Sequence, residues 1–306
     1  MKRALVTGGA GFIGSHLVAR LVAEGQEVVV LDNLTRPSRD RMAALANLSI
    51  FEFYTGDIRD RAAVAQAVRG CDVIYHLAAQ SNVIGALEDP EYSFTTNVTG
   101  TYNVLRAAVE GNVRRLVFTS SREVYGEAQY TPVDELHPLD AKNPYGASKV
   151  AGEAYCRTFA NCHGLDVAIV RLANVFGPGD TDRVIPLWLG EAAAGRDLRV
   201  FGGEQVLDFV WVDTVIDMLT LAGARGLPGP ANVGSGIGTP ILELARRITE
   251  VTPTGSSVAR VAPREAEVKR FVADVSQMRR LGIEPDADPL RHLAGLAARY
   301  QLIEAF

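Results

Sequence analysis

A tyrosine and a lysine in the segment NPYGASK have the spacing of an acid–base pair. Tyr145 and Lys149 are four residues apart, so on a helix their side chains share one face. A free tyrosine has a pKa of about 10 and is a poor base at neutral pH. A neighbouring ammonium group and a positively charged nicotinamide would both stabilise the phenolate. The pair therefore predicts removal of a proton from an alcohol while hydride moves to a dinucleotide.

A serine precedes this pair at the end of an apolar run, in VFTSSREVYG. Ser121 can bind the same substrate oxygen as Tyr145 and orient it for proton loss. Two charged residues, Arg122 and Glu123, follow it directly. They predict either a local ion pair that steadies the loop or a second set of catalytic groups.

The glycines of ALVTGGAGFIGSHLVARLVAEG predict a phosphate-binding turn. Gly8, Gly11 and Gly14 permit a tight turn, close approach of a pyrophosphate and helix–strand packing. The helix that follows offers free N–H groups to phosphate oxygens. No Gly-Lys-Ser/Thr follows, which disfavours a triphosphate loop. Asp32, at the end of the next strand, favours NAD over NADP because a carboxylate repels a 2′-phosphate, although Arg36 lies close by.

Short β-branched runs alternate with helical patterns through the first half of the chain. This alternation predicts an α/β fold with a Rossmann-type, doubly wound parallel sheet. Residues 1–174 are predicted to form the NAD-binding domain, and 175–306 mainly a smaller C-terminal substrate-binding lobe, with some segments returning to the sheet. The predicted strands are Arg3–Thr7, Glu27–Leu31, Ile50–Tyr54, Val73–His76, Arg114–Ser120 and Asp166–Leu172. The predicted helices of this half are Ser15–Glu24, Ala62–Val68, Ser93–Glu110 and Pro144–Cys162.

The composition of the 306 residues excludes several classes of protein. A net charge of −5 without a basic run disfavours nucleic-acid binding. No apolar run reaches the ~20 residues of a membrane span, and glycines interrupt the apolar N-terminus too early for a signal peptide. Three cysteines without metal-like spacing predict reduced thiols and no metal site. These features predict a soluble, cytoplasmic protein.

Seven segments together resemble the extended short-chain dehydrogenase/reductases, in the branch that acts on nucleotide sugars. They are TGGAGFIG, GDIRD, HLAAQ, NVTGTYNVL, SSREVYG, YGASK and RLANVFGP. The resemblance implies tightly bound NAD and a catalytic set of Ser121, Tyr145 and Lys149. The residues that it implies for the cofactor are Gly8, Gly11, Phe12, Ile13, Gly14, Asp32, Asn33, Asp57, Ile58, Leu77, Ala78, Ala79, Tyr145 and Lys149. It also implies a homodimer, formed through the helices predicted at Ser93–Glu110 and Pro144–Cys162.

The family's usual substrates are UDP- or dTDP-hexoses, and the resemblance favours a UDP-sugar here. It implies that the substrate is bound by Gln80, Asn174, Arg264 and Glu267. Members often carry Arg-Asp-Phe or Arg-Asp-Tyr where this chain has Leu207-Asp208-Phe209, so one expected diphosphate ligand is missing. Phe271 matches a position beside the C2 substituent, where its size disfavours an N-acetyl group.

The residue types at Arg122 and Glu123 indicate which of the family's reactions to expect. In family 4-epimerases the two matching positions are usually small and uncharged, whereas in 4,6-dehydratases they read Asp-Glu. The retained Glu123 predicts a dehydratase: Tyr145 promotes C4 oxidation, Glu123 removes the C5 proton, and water leaves from C6. Hydride return to C6 gives a 4-keto-6-deoxy sugar. Return to C4 gives a 5,6-alkene, which resembles the UDP-N-acetylglucosamine 5,6-dehydratase reaction of tunicamycin biosynthesis.

Two alternatives remain open at this stage. If Arg122 and Glu123 only form an ion pair, the resemblance implies a UDP-glucose or UDP-N-acetylglucosamine 4-epimerase. A more remote alternative is a protein that senses the dinucleotide without catalysis. Such proteins tend to lose the tyrosine or the lysine, and this chain has both.

Overall fold

A computed structural model of the chain describes residues 2–36, 39–50, 52–264 and 267–304. The strands are β1 (Arg3–Thr7), β2 (Glu27–Asp32), β3 (Glu52–Thr55), β4 (Val73–His76), β5 (Arg115–Ser121), β6 (Asp166–Leu172), β7 (Asn174–Phe176), β8 (Leu198–Phe201), β9 (Val206–Trp211), β10 (Ala231–Val233), β11 (Gly238–Pro240), β12 (Val258–Val261) and β13 (Arg270–Phe271). Seven of them form a parallel sheet in the order β3–β2–β1–β4–β5–β6–β10. The order reverses between β1 and β4, which is where a fold of this kind binds its ligand.

Helices cover both faces of this sheet. They are α1 (Phe12–Ala23), α2 (Arg39–Ala46), α3 (Arg61–Val68), α4 (Val83–Glu88), α5 (Pro90–Phe94), α6 (Thr101–Glu110), α7 (Pro144–His163), α8 (Val184–Ala193), α9 (Val212–Arg225), α10 (Ile241–Val251), α11 (Ser276–Arg280) and α12 (Leu293–Glu304). Leu5 and Val6, neighbours on β1, belong to separate buried clusters, because successive strand residues point to opposite faces. The predicted α/β class with a Rossmann-type sheet is confirmed.

The predicted helix at Ser93–Glu110 is interrupted. Between α5 and α6, residues Thr95–Gly100 form a π-helical turn. Inside it, Asn97 accepts a hydrogen bond from the Gln80 amide and donates to the Gln80 carbonyl and to Ser148 Oγ on α7. The turn thus binds the loop after β4 to α7. Such turns frequently occur at functional sites.

The second half of the chain contributes to both parts of the molecule. Its α9 and β10 pack on or join the large sheet. The other elements surround a separate core that includes Phe176, Trp188, Leu244 and Leu293. Within this smaller lobe, β9 pairs with β7, β11 and β13, while β8 pairs with β12.

The structure bears on the predicted reduced thiols and on the predicted lack of a membrane span. All three cysteines are free; Cys71 and Cys156 are buried, and Cys162 is exposed. No helix in the described parts of the chain has the length and apolar character to cross a bilayer. The predicted cytoplasmic location stays a prediction.

Candidate active site

The glycine turn between β1 and α1 has room only for backbone. Gly8 has a φ of 72°, and a Cβ added there would lie 2.8 Å from the Ala78 amide nitrogen. A Cβ on Gly14 would lie 2.1 Å from the Gly8 carbonyl oxygen. Gly11, the N-cap of α1, has no side chain to occupy the helix N-terminus. The first turn of α1 is therefore accessible to phosphate oxygens, as the predicted dinucleotide site requires.

The acidic residues near the end of β2 are held firmly in place. The carboxylate of Asp32 accepts hydrogen bonds from the amides of Ala10 and Leu34 at 2.9 and 2.8 Å. Asn33 donates to Asp57 at 2.9 Å. Burial acts to raise the pKa of the Asp57 carboxyl, but hydrogen bonds from Arg59 and Asn33 lower it to about 2. Asp32, which lines the cleft, therefore suits hydroxyl groups of a ligand rather than a further phosphate, whereas the Asp57 carboxylate is engaged by Arg59 and Asn33.

One cleft of about 900 Å³ runs from the glycine turn to the smaller lobe. Most of the predicted site residues line it: Gly8, Gly11, Phe12, Ile13, Gly14, Asp32, Asn33, Ile58, Leu77, Ala78, Ala79, Ser121, Glu123, Tyr145, Lys149, Asn174, Arg264 and Glu267. Asp57 and Gln80 do not belong to its lining. The Gln80 side chain turns away and donates to the Asn82 carbonyl at 3.0 Å. Phe271 is buried outside the lining, stacked on Tyr125. Its expected role against an N-acetyl group therefore loses its basis.

The three predicted catalytic side chains converge from two elements. Ser121 is the last residue of β5; its hydroxyl accepts from the Glu123 amide at 3.2 Å and acts on the nearby Tyr145 phenol to lower its pKa against the effect of burial. Asn143 caps α7 by accepting from the Gly146 amide at 2.9 Å, so the helix begins directly before Tyr145. One turn later, Lys149 Nζ donates to the Thr119 carbonyl at 2.9 Å and lies 6.0 Å from the centre of the Tyr145 ring. A substrate oxygen beside Ser121 would contact both the hydroxyl and the phenol.

The electrostatics of this group differ from the prediction in one respect. Burial raises the pKa of Tyr145, and its hydrogen bond with Ser121 and the charges of Arg183 and Arg122 only partly oppose that rise. Burial also lowers the pKa of Lys149 to about 8. The prediction of an acidic phenol relied on Lys149 together with the nicotinamide charge. The protein's own groups leave the phenol less acidic than a free tyrosine.

Arg122 and Glu123 form the ion pair that was one of the two interpretations of the sequence. They lie on a short 3₁₀ turn, Arg122–Tyr125, with Arg122 Nη2 2.9 Å from Glu123 Oε1. Asn143 donates to the other carboxylate oxygen, Oε2, at 2.7 Å. Arg122 Nε also donates to Asn174 at 3.3 Å. Both oxygens of the buried Glu123 carboxylate are therefore engaged by neighbouring side chains.

The smaller lobe supplies a cationic and aromatic wall. The Arg264 guanidinium lies 3.6 Å from the centre of the Phe201 ring and 3.1 Å from Glu267. Arg199 approaches the same ring at 5.7 Å. Arg183, at the start of α8, lines the cleft and pairs with Asp180 at 2.9 Å. Arg199 therefore accompanies Arg264 at the Phe201 ring, whereas Arg183 lies 5.4 Å from the centre of the Phe12 ring, near the glycine turn.

Sequence reasoning missed Arg183 and Arg199 because no local motif surrounds them. The position that was expected to hold an arginine, Leu207, lies in the cleft lining with an apolar side chain. Its neighbour Asp208 is fully buried and accepts hydrogen bonds from the amides of Ser235, Gly236 and Ala273. Asp208 thus joins β9 to the segments that follow β10 and β13. A cation directly before the apolar start of α8 was the one available signal for Arg183.

Comparison with known proteins identifies the family. The model of the NAD dependent epimerase/dehydratase family matches residues 4–234. The chain belongs to this family. It is therefore an NAD-dependent enzyme of the sugar-nucleotide epimerase/dehydratase group, and the sensing alternative is no longer needed. The resemblance drawn from the motifs is confirmed at this level.

Relatives of both reaction types occur among the most similar proteins. A UDP-glucose 4-epimerase of Mycolicibacterium smegmatis is 37% identical, over 92% of this chain and 93% of that protein. The solved UDP-glucose 4-epimerase of Thermotoga maritima, with UDP-glucose, has a TM-score of 0.92 and 30% identity, and the match covers 99% of this chain and 100% of that one. The dTDP-glucose 4,6-dehydratase of Streptomyces venezuelae, solved with NAD, has a TM-score of 0.93 and 34% identity, with 99% and 98% covered.

Proposed function

We propose that the chain catalyses the NAD-dependent 4-epimerisation of a UDP-hexose. The observation that carries the proposal is the environment of Glu123, whose two carboxylate oxygens are engaged by Arg122 and Asn143. These two contacts hold the carboxylate toward Arg122 and Asn143, so that it has fixed partners within the protein rather than a free approach to the substrate carbon that an elimination deprotonates. An elimination also needs an acid for the departing hydroxyl. Arg122 stands where the family's dehydratases carry an aspartate, and a guanidinium does not give up its proton.

Epimerisation needs only the groups that converge at Ser121. Tyr145, as the phenolate, takes the proton of the C4 hydroxyl while Ser121 holds the same oxygen. The protein's own groups leave the phenol less acidic than a free tyrosine, so formation of the phenolate relies on the positive charge of the bound nicotinamide in addition to that of Lys149. When bound, NAD supplies the hydride acceptor for C4 and the donor for its return. The cleft of about 900 Å³ gives the keto sugar space to turn, and Tyr145 then returns the proton to the C4 oxygen.

The UDP-sugar assignment is supported by the smaller lobe and by the relatives. Arg264 and Arg183 offer planar guanidinium groups, which suit a diphosphate. Phe201 offers a ring on which a pyrimidine base can stack. Two of the similar proteins described above are named UDP-glucose 4-epimerases. With Phe271 outside the cleft, UDP-N-acetylglucosamine remains a substrate candidate beside UDP-glucose.

Dehydration is the second candidate, because the Glu123 carboxylate lies in the cleft lining beside Ser121 and Tyr145. If a bound sugar draws Arg122 or Asn143 away, Glu123 becomes available to the C5 proton. The product would then be a 4-keto-6-deoxy sugar or a 5,6-alkene. The likeness to the tunicamycin-pathway enzyme stays a prediction.

A single experiment separates the two reactions. The purified enzyme is incubated with UDP-glucose and with UDP-N-acetylglucosamine, and the products are weighed and their sugars identified. Epimerisation leaves the mass unchanged and inverts C4; loss of one water from either sugar would overturn the proposal in favour of dehydration. Glu123→Gln should lower epimerisation by less than about tenfold, whereas loss of a general base costs ~10²–10⁴. The exposed Glu127, mutated to Gln, is the matched control.

We also propose a homodimer formed through α7, which is one of the two helices predicted for that role, together with α4 and α5, where only the end of α5 overlaps the other predicted helix. Four large apolar side chains on α4, α5 and α7 are solvent-exposed in the single chain: Ile84, Leu87, Phe94 and Tyr155. These helices pack against one another, so a second copy could cover the side chains together. Sedimentation should give twice the monomer mass, and Phe94→Asp should shift it to the monomer. A monomeric wild-type protein at micromolar concentration would contradict this assembly.

A further inference from the structure

A fully buried carboxylate that the proposed reaction does not use lies directly behind the catalytic groups. Glu153 is on α7, one turn after Lys149, and is 0% exposed. Ser120 Oγ donates to its Oε1 at 2.6 Å. Arg171, on β6, donates to the same oxygen from Nε at 2.8 Å and to Oε2 from Nη2 at 2.7 Å. The carboxylate therefore ties together β5, β6 and α7.

The same ion pair extends to the turn that carries Arg122 and Glu123. Arg171 Nη1 donates to the Tyr125 hydroxyl at 2.9 Å, and Tyr125 donates to Asn232 at 2.7 Å. Tyr125 is the last residue of that turn and is fully buried. The strand end with Ser121, the turn with Glu123, and the helix with Tyr145 and Lys149 thus share one anchor.

We propose that Glu153 and Arg171 are positioning residues, which fix the Ser121 hydroxyl relative to Tyr145 and Lys149. The inference rests on the proposed function in that it assumes proton removal by Tyr145. Its physical basis is that a buried ion pair contributes little net stability compared with apolar residues of similar volume. What it supplies is geometry: Ser120 is bonded to Glu153 on the helix that carries Tyr145 and Lys149, which fixes the adjacent Ser121 relative to that helix.

The test replaces the pair by apolar side chains. In Glu153→Leu/Arg171→Met the core stays filled and no buried charge is left alone. We expect a melting temperature close to that of the wild type, an unchanged KM for UDP-glucose and a kcat lower by about 100-fold, because misplacement by about 1 Å costs that much. Arg157→Gln is the matched control. Arg157, whose own side chain is 47% exposed, contacts the same carboxylate at 3.2 Å. Replacing Arg157 should leave kcat unchanged.

A milder variant keeps the inference falsifiable if the double variant does not fold. Ser120→Ala removes only the link between β5 and Glu153, and kcat should fall about tenfold at unchanged KM and melting temperature. Full kcat in a folded double variant, or in Ser120→Ala, would overturn the positioning role. Failure of the wild-type enzyme to act on any UDP-hexose would instead overturn the proposed function, so the two failures are distinguishable.

Discussion

The two walls of the cleft are built in different ways. On the wall formed by β5 and α7, Ser121 and Lys149 are buried. The Ser121 hydroxyl accepts a hydrogen bond from the Glu123 amide, and Lys149 donates one to the Thr119 carbonyl. On the wall of the smaller lobe, the side chains of Arg183 and Arg264 are 33% and 42% exposed. Each of these arginines pairs with a carboxylate three residues away, Asp180 or Glu267.

This difference indicates that the two walls of the cleft have different functions. Buried, fully bonded groups hold one geometry and need no rearrangement when a reaction begins. The Arg264–Glu267 pair joins two partly exposed side chains, and such pairs contribute little to stability, so a diphosphate can replace Glu267 at small cost. We therefore expect changes on the first wall to alter kcat or folding, and changes on the second to alter KM.

The largest effect is expected for Tyr145→Phe, because this change removes the group that takes the proton. Turnover of UDP-glucose should fall by ~10²–10⁴, the contribution of a positioned base, with little change in KM. Steady-state kinetics measure both constants. Tyr155→Phe, on the exposed side of the same helix, is the control and should behave as wild type. A rise in KM without a fall in kcat would break the division between the walls.

The next effect concerns the burial of Lys149. Its pKa is lowered from 10.5 to about 8 in the folded chain, so between these values only the unfolded chain holds the proton. Raising the pH through this window should therefore stabilise the wild type relative to Lys149→Met by up to about 3 kcal/mol. Urea unfolding of both proteins at several pH values measures the difference. Parallel pH dependences would show that Lys149 is hydrated rather than buried.

The smallest effect is expected on the second wall. Arg264→Gln removes a cation that a diphosphate can use, and the KM for UDP-glucose should rise about tenfold, while kcat stays near the wild-type value. Arg279→Gln, an exposed arginine outside the cleft, is the control. If Arg264→Gln lowered kcat as strongly as Tyr145→Phe does, the second wall would have to be assigned a part in the chemistry.

The parts of the site that could be predicted are those encoded by local spacing. Gly11 and Gly14 are limited by the Gly8 carbonyl within the same segment, although Gly8 itself is limited by the distant Ala78. Tyr145 and Lys149 share a helix face by their spacing alone. Six of the seven strands of the large sheet are predicted to within two residues at each described end because apolar runs mark them. The short β10 lies in a glycine- and proline-rich segment and is not predicted. Phe51, inside the third predicted strand, lies outside the described residues.

What could not be predicted depends on partners distant in the chain. One carboxylate oxygen of Glu123 accepts its hydrogen bond from Asn143, which is 20 residues away in the sequence. Arg183 and Arg199 reach the cleft only because the smaller lobe folds back on the sheet. The backbone of Gln80 is bonded to Asn97, 17 residues away, while its side chain donates to the Asn82 carbonyl. No pattern of neighbouring residue types specifies these contacts.

The π-helical turn at Thr95–Gly100 determines what the loss of one residue from this segment would do to the structure. In an α-helix each residue advances the direction of side chains by about 100°. Shortening Thr95–Gly100 by one residue would convert it to regular α-helix with little rotation of α6 relative to α5, because a π-helical turn holds one residue more than an α-helical turn. Asn103 would then still reach the carbonyls of Ile58 and Arg59, whereas Asn97 would lose the position in which it joins Gln80 to Ser148. A one-residue deletion should therefore impair the loop after β4 more than the packing of α6.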